Sequence, residues 1–84
     1  MGKHDKLLFR ILSGLSYANI EFYDLLHLLE YLGFELRVRG SHHVFRKDGV
    51  LEKINLQRQG AKAKTYQVKQ VREAILKYRL AKEE

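Results

Sequence analysis

The chain contains no cysteine, no proline and no tryptophan in its 84 residues. Without cysteine there is no disulfide framework to hold it, and a zinc site would have to come from histidine and carboxylates alone. Without proline, and with 45% hydrophobic and 31% charged residues, it has the composition of an ordinary folding domain rather than a disordered or low-complexity segment. Long apolar runs are missing too. Leu7–Leu12 and Leu25–Leu32 are both far short of the ~20 residues of a membrane span, and no signal segment with a cleavage site follows the N-terminus. The expectation is a cytoplasmic protein that neither crosses nor enters a membrane. A chain this short buries only about 60–65% of the surface it exposes when unfolded, so residues 1–84 are read as one domain with one core.

What is plentiful is positive charge, and it is concentrated. The net charge is +6, and residues 37 to 64 hold eight basic side chains (Arg37, Arg39, Arg46, Lys47, Lys53, Arg58, Lys62, Lys64) against Asp48 and Glu52. The rest of the chain is balanced, so the whole excess lies in this segment. A basic stretch confined in this way is the footprint of a surface that meets phosphates; the alternative is a solvated face that only aids solubility.

Hydrophobic periodicity divides the chain. Lys3–Ser13 reads as a helix with Leu7, Leu8, Ile11 and Leu12 on one side and Gly14 as its stop. A second helix follows, with Phe22, Leu25, Leu26, Leu28, Leu29 and Leu32 on one face, ended by Gly33. From Phe34 the period becomes two. Phe34, Leu36 and Val38 alternate with Glu35, Arg37 and Arg39, and after Gly40-Ser41 a strand His42–Lys47, a turn at Asp48-Gly49 and a strand Val50–Leu56 complete an antiparallel meander. Residues 57–64 have no period and read as a polar loop, with Thr65 as N-cap of a last helix. That helix carries Val68, Val71, Ala74, Ile75 and Tyr78 as its buried stripe and ends near Leu80. The expected class is α+β in the order α-α-β-β-β-α, with a three-stranded antiparallel sheet and helices on one face.

Adjacent strand residues face opposite sides, so His42 and His43 cannot share a surface. Phe45 belongs in the core and takes His43 with it, as a partly buried, hydrogen-bonded histidine. His42, Val44 and Arg46 are left on the open face, beside Arg37 and Arg39 of the preceding strand and Lys53 and Asn55 of the following one. A neutral imidazole among cations suits RNA cleavage: it can take the proton of a 2′-hydroxyl while the cations stabilise charge building on the phosphate, with no metal and no cofactor. The diverging pair is a poor metal site. His4 and His27 are expected to be solvated, and an exposed strand histidine with no catalytic role is the plain alternative for His42.

The run LLEYLGFELRVRGSHHVFRKDG, above all LGFE followed by RVRGSHHVFR, resembles the HicA (YcfA-like) toxins of bacterial type II toxin–antitoxin systems. The resemblance spans about two-thirds of the chain, with residues 22–80 as the family core and 1–14 as an additional N-terminal helix. It implies a double-stranded-RNA-binding-like fold, ribosome-independent endonucleolytic cleavage of mRNA, and neutralisation by a HicB-type antitoxin that covers the active surface. The family's catalytic histidine falls on His42, with Gly40 and Ser41 in the turn that presents it. The third strand, EKINLQRQG, lacks the Pro- and His-containing ending common in the family, which leaves Arg58, Lys62 and Lys64 as substitute phosphate contacts. The expected RNA-binding set is therefore Arg37, Arg39, Ser41, Arg46, Lys53, Arg58, Lys62 and Lys64, with His42 catalytic. The rival from another class is a non-catalytic RNA-binding module using the same basic sheet.

Overall fold

The structure is a computed structural model and describes residues 2–81. Helix α1 (Lys3–Ser13) buries Ile11 completely and packs Leu7, Leu8 and Leu12 against the core. It stops where Gly14 turns left-handed at φ 69°. An Arg10 Nη2 bond to the carbonyl of Ala18 (2.7 Å) then holds the following loop against the helix. Helix α2 (Phe22–Tyr31) lies at the centre of the fold, with Phe22, Leu25, Leu28 and Leu29 wholly buried. Gly33 ends this region at φ 100°, and a side chain there would also have to displace Lys47 Nζ, only 2.6 Å from where its Cβ would stand.

Strands β1 (Glu35–Arg39), β2 (His42–Lys47) and β3 (Val50–Leu56) form an antiparallel sheet in that order. Arg39 pairs with His42, Arg37 with Val44 and Glu35 with Arg46; across the other seam Val44 pairs with Asn55 and Phe45 with Ile54. The register slips between Phe45 and Lys47, so β3 carries a bulge before Ile54. One face of the sheet delivers Phe45, Ile54 and Leu56 to the core at zero exposure, where they join α2 and Val68, Val71 and Ile75 of helix α3 (Thr65–Tyr78). Val38 shares that face by register yet is 56% exposed, because the helices pack on β3 and on each other rather than on the edge strand β1.

The class is α+β, with two helices, a three-stranded antiparallel sheet and a closing helix, as the periodicity predicts. Three local expectations are corrected. Residues 57–64 are not a loop: β4 (Arg58–Gln59) and β5 (Lys62–Ala63) form a small hairpin. It is held because Ala63 N donates to Ile20 O (2.8 Å), Phe22 N donates to Ala61 O (2.9 Å), and Glu21 bridges Lys62. Strands of two residues are too short to show a period, and their backbone partners lie some forty positions away. Thr65 is the first helical residue rather than the N-cap; Lys64 occupies that position, without a side-chain cap bond. Finally, α3 ends at Tyr78, where Arg79 takes up φ 54°, and its buried set includes Gln67 at 2% exposure.

The C-terminal end of α3 is tied to the start of β3. Lys77 Nζ donates to Glu52 Oε2 (2.9 Å), the Tyr78 hydroxyl donates to Glu52 Oε1, and Leu51 N donates to the Tyr78 oxygen (3.2 Å). The Tyr78 hydrogen bond first, and Lys77 after it, hold the Glu52 carboxyl at about 2, well below its ordinary value of 4.5. The same pairing raises Lys77. Among the described residues no helix is long and apolar enough to cross a membrane.

Candidate nucleic-acid interface

The face of the sheet turned away from the helices is basic and open. Arg37, Arg39, Arg46 and Lys53 are all exposed and line one broad hollow, with half-buried Val44 among them and Glu35 and Asp48 as its acidic members. The pairing explains the gathering. Arg37 and Arg39 alternate on β1, Arg46 and Val44 on β2, and Lys53 and Asn55 on β3, all of one parity, so the meander stacks three short rows of polar side chains on one surface.

His42 opens β2 on this same face, directly across from Arg39, and is exposed. Its Nδ1 lies 3.3 Å from Asn55 Oδ1. An amide oxygen only accepts, so this hydrogen bond forms when Nδ1 carries the proton; Nε2 is then the ring's free base. Parity along the strand brings Asn55 to the right face without giving it a role. The missing signal is register, which sets Asn55 opposite Val44 and so diagonally next to His42.

A second set of hydrogen bonds supports the turn before His42. Gln57 Nε2 donates to Ser41 Oγ (3.1 Å), the Gln57 backbone N–H donates to Gln67 Oε1 (3.3 Å), and Gln67 Nε2 stands 3.5 Å from the Tyr66 hydroxyl. Gln67 is the one buried polar side chain among the described residues. It satisfies a backbone donor just where β3 gives way to β4. Neither Gln57 nor Gln67 stands out in the sequence, since a lone glutamine on a helix stripe carries no periodic signature.

His43 turns to the helix side as parity requires, half-buried with its ring edge-on to Phe22 at 4.9 Å. The hydrogen bond expected for it is not made at Nδ1, which is buried without a partner. His4, expected to be solvated, is half-buried and stacks on Tyr31 at 4.7 Å between centroids, because α1 lies along α2. His27 is exposed. Among the described residues no three of His, Asp and Glu come close enough together to hold a metal ion.

The expected phosphate-binding residues thus fall into two groups. Arg37, Arg39, Arg46 and Lys53 share the hollow, while Ser41, Arg58, Lys62 and Lys64 do not line it, and neither does His42. The Arg58 guanidinium lies 5.7 Å over the Tyr23 ring, Lys62 is paired with Glu21 (2.5 Å), and Lys64 is half-buried at the start of α3. These three belong to the end of the sheet where His42 begins β2, beside the N-terminal turns of α2 and α3. Chemically, the surface offers a solvent-facing imidazole with one ring nitrogen engaged and Arg39 across from it, a basic hollow further along the same face to which Lys47 also contributes, and a hydroxyl in the preceding turn. Compared with family models, curated proteins and solved structures, the chain finds no match in any of the three.

Proposed function

We propose that this chain is an RNA-cleaving toxin of the HicA type, an endoribonuclease of double-stranded-RNA-binding-like architecture that acts on mRNA in the cytoplasm without metal or cofactor. The observation that supports it most is the placement of His42: exposed, bonded through Nδ1 to Asn55, and opposite Arg39 on the basic face of the sheet. The same histidine follows the Arg-Gly-Ser turn that carries the resemblance to the family. In the reaction, Nε2 of His42 takes the proton of a ribose 2′-hydroxyl, and the 2′-oxygen attacks the adjacent phosphorus. The 5′-oxygen of the next nucleotide leaves, taking a proton from the imidazolium or from water. Arg39, with Arg37, Arg46 and Lys53, neutralises the charge on the phosphate oxygens. The products carry a 2′,3′-cyclic phosphate and a 5′-hydroxyl. A HicB-type antitoxin would silence the protein by covering this face.

The test is incubation of the purified chain with RNA in excess chelator, followed by analysis of product ends. Cleavage with cyclic phosphate ends is expected, and replacing the scissile ribose by deoxyribose should abolish it. Cutting that survives the deoxyribose substitution would refute the mechanism. Salt-sensitive RNA binding with no cleavage by the wild-type chain would leave a non-catalytic binding module instead.

A further inference from the structure

The sheet's open face presents cations and one imidazole but no aromatic platform. Two exposed tyrosines stand at its His42 end: Tyr23, 52% exposed, and Tyr66, 63% exposed. Each is the second residue of a helix, α2 and α3, whose N-terminal turn reaches this end of the molecule. The connections back to His42 are short. Arg58, lying over Tyr23, follows Gln57, which is bonded to Ser41, the residue before His42. Tyr23 also touches Phe22 edge-on at 5.4 Å, which anchors its ring to the core on the helix side. The Tyr66 hydroxyl meets Gln67, which holds the Gln57 backbone.

Both tyrosines are more than half exposed, and both connect to one segment, Gln57-Arg58, Tyr23 directly through Arg58 and Tyr66 through Gln67. A tyrosine layered with a guanidinium is a surface on which a nucleobase stacks, and it adds positive charge for the adjoining phosphate. Bases of a duplex are already stacked on each other and cannot use such a surface; an unpaired nucleotide can. We infer that Tyr23 with Arg58, assisted by Tyr66, forms a stacking subsite for an unpaired base next to the phosphate held at His42, so that the substrate is single-stranded RNA at this position. The inference rests on the chain being an RNA-binding, RNA-cleaving protein. It adds to that function the residues that read strandedness. Arg58 is then a stacking partner rather than a simple phosphate ligand, and Lys62, paired with Glu21, holds the hairpin that positions it.

The test uses the full chain carrying His42→Ala, so that bound RNA is not consumed, and compares Tyr23→Ala, Tyr23→Phe and Tyr66→Ala in that background. The probe is a labelled single-stranded oligoribonucleotide, intact or with one abasic position, alongside a duplex of the same sequence. Tyr23→Ala should weaken binding of the intact single strand about tenfold at fixed salt without changing the salt slope, in keeping with removal of one base–aromatic stack. Tyr23→Phe should restore it, and duplex affinity should not move. The abasic strand should bind the parent more weakly by the same factor, and Tyr23→Ala should add nothing further. Equal affinities for intact and abasic strands, or a Tyr23→Ala effect that persists on the abasic strand, would overturn the inference. RNA cleavage by the otherwise wild-type chain is scored separately: cutting without a stacking effect defeats the subsite alone, and stacking without cutting defeats the nuclease alone.

Discussion

The His42 imidazole depends on one amide for its orientation. Removing the ring, His42→Ala, should lower the RNA cleavage rate by about 10²–10⁴-fold, the usual contribution of a positioned acid–base group, with circular dichroism unchanged because the side chain is exposed. Asn55→Ala leaves the ring in place but frees its tautomer and rotation. The rate should fall by less than for His42→Ala while RNA affinity, set by the cations, stays within about twofold. Gln67 acts at a further remove. Its buried Oε1 satisfies the Gln57 N–H, so Gln67→Leu should cost about 1–3 kcal/mol in urea unfolding by leaving that donor without a partner. It should also slow cleavage by slackening the bond from Gln57 to Ser41. None of these supporting hydrogen bonds is legible in the sequence. Parity along a single strand fixes which face a residue takes, and it puts His42 outside and His43 inside correctly. Register between strands and bonds reaching from Gln57 to Gln67 depend on how the chain closes on itself.

The elements themselves are largely readable, and where they are not the reason is length. Helices α1 and α2 and strands β2 and β3 have enough residues for the periods of 3.6 and 2 to show, whereas β4 and β5 have two residues each and are made by partners near Ile20 and Phe22. The joint between β3 and α3 makes a pH prediction. The Glu52 carboxyl is held at about 2 in the folded chain against an ordinary 4.5 when unfolded. The stabilisation it provides is therefore complete above pH 4.5 and is lost as the pH falls toward 2. Urea midpoints should decline across that interval in the parent chain, and Glu52→Gln should remove this share of the decline while lowering the midpoint at neutral pH. In the middle of the same layer Phe45 has no exposure at all, and Phe45→Ala should cost about 3–5 kcal/mol in the same assay.

Across the whole molecule, charge and shape are divided: apolar side chains cover most of one side of the sheet, Val38 excepted, and Arg37, Arg39, Arg46 and Lys53 occupy the other. RNA affinity should accordingly fall linearly with salt on a log–log plot, and each single neutralisation such as Arg37→Gln should reduce the slope by about 0.7 on a single strand, the share of one phosphate neutralised by one cation. The arginines of β1 have another consequence. That strand is one of the two edges of the sheet, with Val38 uncovered on its helix side, and an unpaired edge of this kind readily recruits a second chain into a growing ribbon. Like charges repeated at alternate positions make such recruitment self-repelling. A variant with both Arg37 and Arg39 made neutral should scatter light and precipitate at concentrations where the parent stays dispersed, so the guanidinium pair proposed to meet RNA would also keep the protein from polymerising with itself.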